Sequence, residues 1–540
     1  MKKRILMLLL SFILIFTGCV SDKKENNTAA GNEDNAPKEG GVLNISSYSP
    51  DTMNPLMTQY SCVRDFLYLI YEGLFIVNED LSARPVLASD YTVSEGNTVY
   101  TINLAENVTF HDGSAFDSSD VISTFEYIQN FDSIYTDSLS NVASYSAKGS
   151  KTVVITLKSP QANFVNNLDF PILPSGLSKA AFSVPNTSFT PIGTGRYVYA
   201  NTIPYEGAEL ASNEKWKGSS KVYIPKVNIR FVRDNDGMLY AFDSGETDII
   251  TTERGRWGEF SYTGNYRTGE ITTSKYTYIG INTRNSALAD LDVRKAISDV
   301  IDKELLSDVL LFSHACVANS PISSKAFFAG NGSEKEKNKD EIKAQINFLK
   351  EKKLTLYLLY NDESEQKKNI AEYVKEKLKE AGIRVLLSHV GFEAYSERIQ
   401  QGDYQMYIGE IDMSSDANVR FMFDTAPEKI IPEEAADNGE TVLPIDELSD
   451  TQNSGTGTFC DFSSTELDSL IYSMNTAATE NDASVAYKNF EEYFKTNVIQ
   501  IPLFHINDAI FVNNRIKGKI KTNLTNFYAD FGELYIDYDE

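Results

Sequence analysis

The chain has 540 residues, of which 76 are acidic and 50 are basic, so its formal net charge at pH 7 is −26. Such a charge repels polyanions and therefore excludes nucleic acid and anionic lipid surfaces as partners. A globular part of about 500 residues exceeds what one hydrophobic core usually supports and predicts at least two lobes.

The N-terminal residues have the organisation of an export signal. A basic start at residues 2–4 precedes an almost wholly apolar run at residues 5–16, and Cys19 follows two small residues. The run is shorter than the roughly 20 residues that span a bilayer as a helix. We therefore expect residues 1–18 to be a signal peptide that is removed on export.

The next segment, residues 19–40, carries almost no side chains that a core would bury, so it predicts a disordered tether. Globular composition begins at Gly41, and no later segment is long and apolar enough to span a membrane. After Cys19 the cysteines are Cys62, Cys316 and Cys460, whose spacing is neither a disulfide framework nor a zinc pattern. They leave room for at most one disulfide bond.

A strand, a turn and a helix are predicted between residues 100 and 130. The alternation over residues 100–110 predicts a strand whose buried face carries Tyr100, Ile102 and Leu104. Residues 111–113 predict a turn, and a helix then starts after Asp117. The buried stripe of this helix is expected to hold Val121, Phe125 and Ile128.

The region from residue 292 to residue 411 contains the clearest architectural pattern. Residues 292–311 predict one helix with a buried stripe that includes Val293, Ile297, Val300 and Ile301. Residues 354–411 predict a βαβαβ unit, which makes one lobe α/β with a largely parallel sheet. Its strands are expected at 354–360, 383–390 and 405–411, with helices around 370–378 and 392–399. The acidic stretch at 427–457 predicts an exposed loop or lid.

The sequence contains no motif for catalysis or for a metal site. The four histidines, His111, His314, His389 and His505, form no HExxH pattern or close pair, and no GxSxG or GxxxxGK[ST] motif occurs. No catalytic residue, metal ligand or cofactor is therefore expected. The 30 tyrosines favour a binding cleft that holds varied ligands partly through ordered water.

A series of short motifs resembles, in order and spacing, the oligopeptide, dipeptide and nickel receptor family of ABC importers. The series covers Gly41 to about Gly518. The motifs are GGVL (40–43), MNP (53–55), YEGL (71–74), RPVLA (84–88), VTFHDG (108–113), GTGRY (193–197), NEKWKG (213–218), SGETD (244–248), GIN (280–282), DVRKA (292–296), IDK (301–303), ELD (466–468) and IPL (501–503).

The resemblance implies a mixed α/β, two-lobed fold of the periplasmic-binding-protein type, class II with an extra subdomain, in which the ligand cleft lies between the lobes. By this analogy the first lobe takes residues 41–276 and 500–540, with an inserted subdomain at about 80–190. The second lobe takes residues 277–499. Hinge closure of two such lobes buries a ligand almost completely.

The resemblance also implies where a ligand is bound. Asp412 follows the third strand of the second lobe, where peptide-binding members pair an aspartate with the α-ammonium of the ligand, and Asp416 is the alternative. The residues around Asp412 differ from the family pattern, which has a Trp before it and Tyr-x-Asp-Pro after it. Further ligand contacts are expected from Gln59, Tyr60, Ser61, Trp257, Tyr276 and Tyr278.

Together these features predict a receptor that captures a peptide and delivers it to the permease subunits of an ABC importer. It is expected to be a monomer, held on the outer face of a Gram-positive cell membrane, or on the periplasmic side of a Gram-negative one, by a lipid on Cys19. One alternative is a receptor of the same fold for a nickel chelate, an oligosaccharide or a signalling peptide. A nickel ligand would favour a cleft histidine, for which His505 is the candidate. Another alternative is a secreted hydrolase.

Overall fold

The computed structural model describes residues 37–94, 96–186, 188–203, 206–218, 220–251, 266–329, 338–423, 462, 464–520, 523, 528 and 533–537. The helices of these residues are α1 Ser61–Leu67, α2 Ser118–Asn130, α3 Asn235–Asp243, α4 Leu291–Val300, α5 Lys303–Leu311, α6 Lys339–Lys352, α7 Glu365–Glu380, α8 Phe392–Gln400, α9 Thr465–Asn475 and α10 Glu480–Asn497.

The strands of the same residues are β1 Val42–Tyr48, β2 Phe75–Val77, β3 Ala83–Pro85, β4 Ala88–Val93, β5 Val99–Leu104, β6 Val142–Ala147, β7 Thr152–Leu157, β8 Tyr197–Ile203, β9 Gly207–Ser212, β10 Lys226–Val232, β11 Ile249–Thr251, β12 Tyr266–Ile281, β13 Ala315–Val317, β14 Thr355–Asn361, β15 Arg384–Val390, β16 Met406–Asp412, β17 Gln500–Asn513, β18 Ile516–Lys517 and β19 Tyr535–Ile536.

Eleven of the described strands form one mixed sheet. Ten of them lie in the order β15-β14-β16-β12-β17-β11-β1-β10-β9-β8, and β13 pairs with β17 beside this path. Strand β1 is parallel to β10, and β14 is parallel to β15 and β16, whereas β12 and β17 are antiparallel to each other. These two strands have 16 and 14 residues and lie in the middle of the sheet.

The buried side chains of the described residues form three large clusters. The first cluster lies along β1 to β11 and the C-terminal segment, the second lies around the βαβαβ unit, and the third includes the segment after β16 and helices α9 and α10. Strand β17 contributes Ile501 to the second cluster and Ile510 to the first. The chain thus has the mixed α/β, two-lobed fold that the sequence predicts. The boundaries proposed for the lobes and for the inserted subdomain remain predictions.

The βαβαβ unit is confirmed. It consists of β14, α7, β15, α8 and β16, and all its strand pairs are parallel. Helix α7 buries Ile370, Val374 and Leu378 completely, because these residues recur once per helical turn. Gly382 follows this helix with a φ of +79°, a conformation that suits glycine best at a helix end.

The strand and helix predicted between residues 100 and 130 are confirmed with one correction. Strand β5 buries Tyr100, Ile102 and Leu104 but ends at Leu104, not at residue 110, because a turn with Asn107 at φ +59° follows. Helix α2 starts after Asp117, which caps it together with Asp120 in a capping box. This helix and the four-stranded sheet β4-β5-β7-β6 pack into the first cluster.

The single helix predicted at residues 292–311 is wrong, since the structure has two helices there. Ile301 has an extended backbone, which ends α4, and the side chain of Asp302 then accepts a hydrogen bond from the backbone N–H of Leu305 at the start of α5. An aspartate at the N-cap position favours the start of a new helix, and here this preference competes with continuation of the preceding helix. The buried stripe is nevertheless correct, because Val293, Ile297, Val300 and Ile301 are all buried.

Three predicted segments fall wholly or largely outside the described residues. They are the signal peptide at 1–18, the tether at 19–40 and the acidic loop at 427–457. Within the part of the chain that the structure describes, no helix has both the length and the apolar character needed to cross a membrane.

Candidate functional site

The candidate site lies where β12 and β17, which we call the crossover ribbon, pass between the clusters. Thr272 pairs with Asn507 and Tyr276 pairs with His505, so three residues of β12 lie opposite one residue of β17. This bulge interrupts the regular ladder. Inside it, the backbone oxygen of Ser274 accepts a hydrogen bond of 2.9 Å from the backbone N–H of Met413.

A loop between β2 and β3 contacts the bulge from the first lobe. Its Leu81, with a φ of +63°, is buried in the third cluster. The carboxylate of Glu79 accepts a hydrogen bond of 3.1 Å from the backbone N–H of Thr272 and forms an ion pair with Lys325. The loop therefore joins the first lobe both to the crossover ribbon and to the second lobe.

A small cavity of about 20 Å³ lies between these parts. This volume holds about one water molecule, so a larger ligand can enter only when the lobes separate. The cavity is lined by residues of the loop, the bulge, the segment before α6, the segment after β16 and strand β17: Glu79, Leu81, Thr272, Thr273, Ser274, Pro321, Ile322, Ser323, Met413, Ser414, Ala417 and His505.

His505 of β17 is the buried imidazole of this cavity. Neither ring nitrogen makes a hydrogen bond of normal geometry within the described residues. Burial lowers the pKa of His505 to about 4, against a smaller opposing effect of the Ser320 backbone. The ring is therefore neutral at neutral pH, and each of its nitrogens is costly to leave without a partner.

Asp412 is the last residue of β16, where it pairs with Lys275 of β12, and its side chain is exposed. The residues after it, Met413 and Ser414, line the cavity. The structure thus places Asp412 at the end of the third strand, as expected, and beside the candidate site. Its pairing with a ligand ammonium remains a prediction.

Asp416 is buried and lies against the first lobe. Its Oδ2 atom accepts hydrogen bonds from the side-chain amides of Gln161 and Asn167, and its Oδ1 atom accepts one from the backbone N–H of Asn418. A cluster of amide side chains from residues 161–167 therefore surrounds this carboxylate. The role of Asp416 as an alternative ligand anchor remains a prediction.

Tyr276 and Tyr278 of the crossover ribbon are fully buried in the third cluster. Their rings stack with centroids 5.0 Å apart, and the hydroxyl of Tyr278 lies 3.0 Å from that of Tyr407. Two glycines make room for these rings, since Gly409 lies opposite Tyr278 and Gly280 lies opposite Tyr407. The rings have no exposed surface in this structure, and their contact with a ligand remains a prediction.

The segment Gln59, Tyr60 and Ser61 lies at the start of α1 with exposed side chains. Among the described residues, its hydrogen bonds and ring contacts include those of Gln59 with Asp51 and of Tyr60 with Tyr48. None of its three residues lines the cavity at the crossover ribbon. Their contact with a ligand remains a prediction, and Trp257 and Cys19 lie outside the described residues.

A second cavity, of about 300 Å³, lies within the first lobe and is lined by several motif residues. The indole Nε1 of Trp216 donates a hydrogen bond of 2.8 Å to Glu72, and the guanidinium of Arg196 lies 4.8 Å from the Trp216 ring. Burial raises the pKa of the Glu72 carboxyl, and these partners oppose the rise. The YEGL, GTGRY and NEKWKG motifs therefore hold the first lobe together.

Sequence reasoning did not find the amide side chains of Gln161, Asn163, Asn166 and Asn167. Four amides within seven residues are a visible feature of the sequence, but nothing local indicates the carboxylate that they meet about 250 residues later. For metals, the described residues contain no group of three or more His, Cys, Asp or Glu side chains arranged to hold an ion. Cys62 and Cys316 are free thiols.

Comparison with known proteins gives a family match over residues 82–426, to the bacterial extracellular solute-binding proteins, family 5 Middle. The oligopeptide-binding protein AppA of Bacillus subtilis is 24% identical over an alignment of 426 residues that covers 74% of this chain and 78% of AppA. The structure of AppA with a nonapeptide has a TM-score of 0.61, at 19% identity, over 93% of this chain and all of that one.

Two other solved structures share the fold. HbpA2 of Haemophilus parasuis has a TM-score of 0.75 at 17% identity, over 92% of this chain and 100% of HbpA2. NikZ of Campylobacter jejuni, in complex with Ni(L-His), has a TM-score of 0.62 at 19% identity, over 93% of this chain and 100% of NikZ. At these identities the likeness concerns the fold alone.

Proposed function

This chain belongs to family 5 of the bacterial extracellular solute-binding proteins, which are the substrate receptors of ABC importers. On this basis we propose that it captures peptides between its lobes and delivers them to a permease. We also propose that a lipid on Cys19 holds it outside the membrane. Proteins of this family bind solutes for transport and are not enzymes, so the hydrolase alternative is set aside.

The observation that carries the peptide proposal is the position of Asp412. This exposed carboxylate stands at the end of β16, directly before two residues that line the small cavity at the crossover ribbon. A carboxylate there can pair with the α-ammonium of a peptide that lies beside the crossover ribbon, through a charge-assisted hydrogen bond. The similarity to an oligopeptide-binding protein supports the same ligand class.

The proposed mechanism is closure of the two lobes on the ligand. An extended peptide would lie along the crossover ribbon and hydrogen-bond to the backbone of both lobes. Ligand binding then shifts the population toward the closed form, which the permease recognises. The proposed boundary at residues 276/277 lies within β12 and the one at 499/500 lies directly before β17, so the ribbon stands at the junction of the two lobes.

Import of a nickel chelate is the second candidate function, and His505 favours it. Its neutral imidazole lines the cavity, and the unprotonated ring nitrogen has the lone pair that a metal in a chelate would need. NikZ, which shares the fold, was solved with Ni(L-His). A chelate would contact His505, whereas a peptide would contact Asp412, so the two candidates differ in the residue on which binding depends.

The test measures the thermal unfolding midpoint of the mature chain in the presence of di- to octapeptides, nickel chelates or oligosaccharides, each as a separate library. A ligand that binds the native state raises this midpoint. We expect peptides to raise it and Asp412→Asn to abolish most of the rise, while Asp403→Asn, an exposed aspartate of the same lobe, leaves it unchanged. N-acetylated peptides should resemble the Asp412→Asn result. A rise with nickel chelates alone, lost in His505→Gln, would replace peptide by nickel as the substrate.

A further inference from the structure

We propose that Ser415 and Asp416 form a latch that holds the second lobe closed against the amide cluster Gln161, Asn163, Asn166 and Asn167 of the first lobe. The latch sets the fraction of receptor that is closed before a ligand arrives. This inference rests on the proposed function, because a latch acts only in a receptor whose lobes open and close.

The latch consists of hydrogen bonds between two short segments. Gln161 Nε2 and Asn167 Nδ2 donate to Asp416 Oδ2, the second at 3.1 Å. Asn166 Nδ2 donates to the backbone oxygen of Ser415 at 2.7 Å, and Asn163 Nδ2 donates to that of Asp416 at 3.3 Å. The first segment thus supplies the four amide donors, and Ser415 Oγ donates one hydrogen bond of 3.4 Å in return, to the backbone oxygen of Asn166.

The two segments belong to different cores. Phe164, between the amides, and Leu168, directly after them, are buried in the first cluster, whereas Met413 and Ala417, on either side of the acceptors, are buried in the third. The hydrogen bonds therefore connect the lobes and must break when the lobes separate. They contribute to closure rather than to the stability of either core.

The polar groups of the latch are held in fixed orientations. Asn141 Nδ2 donates to Gln161 Oε1 at 2.6 Å, so that the NH₂ group of Gln161 faces Asp416. The backbone N–H of Asn418 fixes Asp416 Oδ1, so that Oδ2 faces the two amides. Gln161 is 3% exposed and Asp416 is 5% exposed. Hydrogen bonds to a buried carboxylate are stronger than those between neutral groups.

A second contact supports the latch from the same side of the first lobe. Asn97 Nδ2 donates to the backbone oxygens of Asn475 and Ala477, at 3.2 and 2.8 Å, at the C-terminal end of α9. These carbonyls lie where a helix has no internal donors left. The backbone oxygen of Asn97 in turn accepts from the N–H of Gln161 at 3.2 Å, which links the two contacts.

The two aspartates of this region therefore have separate tasks. Asp416 is 5% exposed and already accepts three hydrogen bonds from the protein, so little of its carboxylate is left for a ligand ammonium. Asp412, four residues earlier, is exposed. We therefore assign Asp412 to the ligand and Asp416 to closure.

The fixed orientations allow a test by exchange of partners. In Asp416→Asn the oxygen remains with the Asn418 N–H, so the new NH₂ group faces the NH₂ groups of Gln161 and Asn167. In Gln161→Glu two carboxylates face each other instead. The double variant restores an acceptor opposite a donor, because the carboxylate introduced at position 161 would accept from both Asn141 and the new amide at position 416.

The exposed Asp243 at the end of α3 provides the matched control Asp243→Asn.

The measurement is small-angle X-ray scattering of the ligand-free mature chain, with circular dichroism to confirm folding. We expect each single variant to lower the ratio of closed to open receptor about ten-fold, so that the radius of gyration rises. The double variant should return toward the wild-type value, and Asp243→Asn should equal it. A structural role inside one lobe would alter unfolding without altering the radius of gyration of the folded chain.

Two results would overturn the latch: a wild-type chain as expanded as the single variants, or a double variant no more compact than the worse single one. Neither result depends on a ligand. A receptor that binds no peptide would contradict the proposed function and leave the scattering result as it stands.

Discussion

The guanidinium of Arg515 donates two hydrogen bonds to the carboxylate of Asp248, with 2.6 Å between Nε and Oδ1. Asp248 also accepts a hydrogen bond of 2.7 Å from the backbone N–H of Asn44 in β1. The side chain of Asp248 is 2% exposed, and that of Arg515 is 36% exposed. One carboxylate of the SGETD motif thus joins the first strand of the domain to the segment that returns after β17.

Replacing Asp248 by Ala should lower the free energy of unfolding by about 1–3 kcal/mol, because the guanidinium of Arg515 and the N–H of Asn44 lose their acceptor. The matched control is Glu246→Ala, in the same motif. This substitution removes the exposed ion pair of Glu246 with Arg230 and should cost about 0–1 kcal/mol. Urea unfolding measures both. Equal losses in the two variants would show that burial of the Asp248 pair has no special weight.

Acidification should destabilise the protein through His505. The pKa of this buried ring, about 4, lies below the ordinary 6.5, so the unfolded chain takes up the proton first as the pH falls. The contribution of His505 to the free energy of unfolding is therefore fully present above pH 6.5. It is lost as the pH falls from 6.5 toward 4, by up to about 3 kcal/mol.

The check is urea unfolding of wild type and His505→Gln across this pH range. The variant should show a smaller loss of stability on acidification, since it no longer takes up this proton. His389→Gln is the control, because the His389 side chain is 60% exposed. Parallel stability profiles of the wild type and the His505 variant would refute the assignment.

Gly409→Ala should destabilise the second lobe by about 1–3 kcal/mol through overpacking. A Cβ atom at this position would lie 2.4 Å from Cζ of the buried Tyr278 ring. At Gly391 the nearest atom is 3.5 Å from the added carbon, so Gly391→Ala should cost under about 1 kcal/mol. A thermal denaturation midpoint that falls equally in both variants would contradict this explanation.

Cys19→Ala should release the receptor from cells, because this substitution removes the proposed site of lipid attachment. Fractionation of cells that express wild type or Cys19→Ala measures this, and Cys62→Ala controls for the loss of a thiol. A Cys19 variant that stays with the membrane fraction would show that another feature provides the anchor.

The second lobe could be predicted well because its signals are local. The helix that buries Ile370, Val374 and Leu378 lies between two apolar strands, so periodicity alone identifies the βαβαβ unit. The prediction of one helix at residues 292–311 was wrong for a local reason as well, because Asp302 caps a new helix after Ile301, whose backbone is extended. A cap of this kind is visible in the sequence but competes there with continuous hydrophobic spacing.

The site could be predicted only in part. The third strand of the βαβαβ unit was predicted to end at residue 411, so the position of Asp412 beside its end follows from the sequence, whereas its role comes only from the family resemblance. The partners of Asp416 were not, because Gln161 and Asn167 come from the other lobe, and no local pattern brings together segments that are so distant along the chain. Tyr276 and Tyr278 illustrate the same limit, since a strand position alone does not tell whether a ring faces a cleft or a core.

The crossover ribbon connects the lobes through two paired strands, which resist bending more than single extended chains would. Its two strands are hydrogen-bonded to each other on both sides of the bulge, so the lobes are not joined by freely jointed linkers. Separation of the lobes must flex the ribbon, and the strain concentrates at residues 273–275, where the ladder is interrupted. In the proposed opening motion, the paired residues on either side of the bulge resist bending and so limit how far the lobes separate.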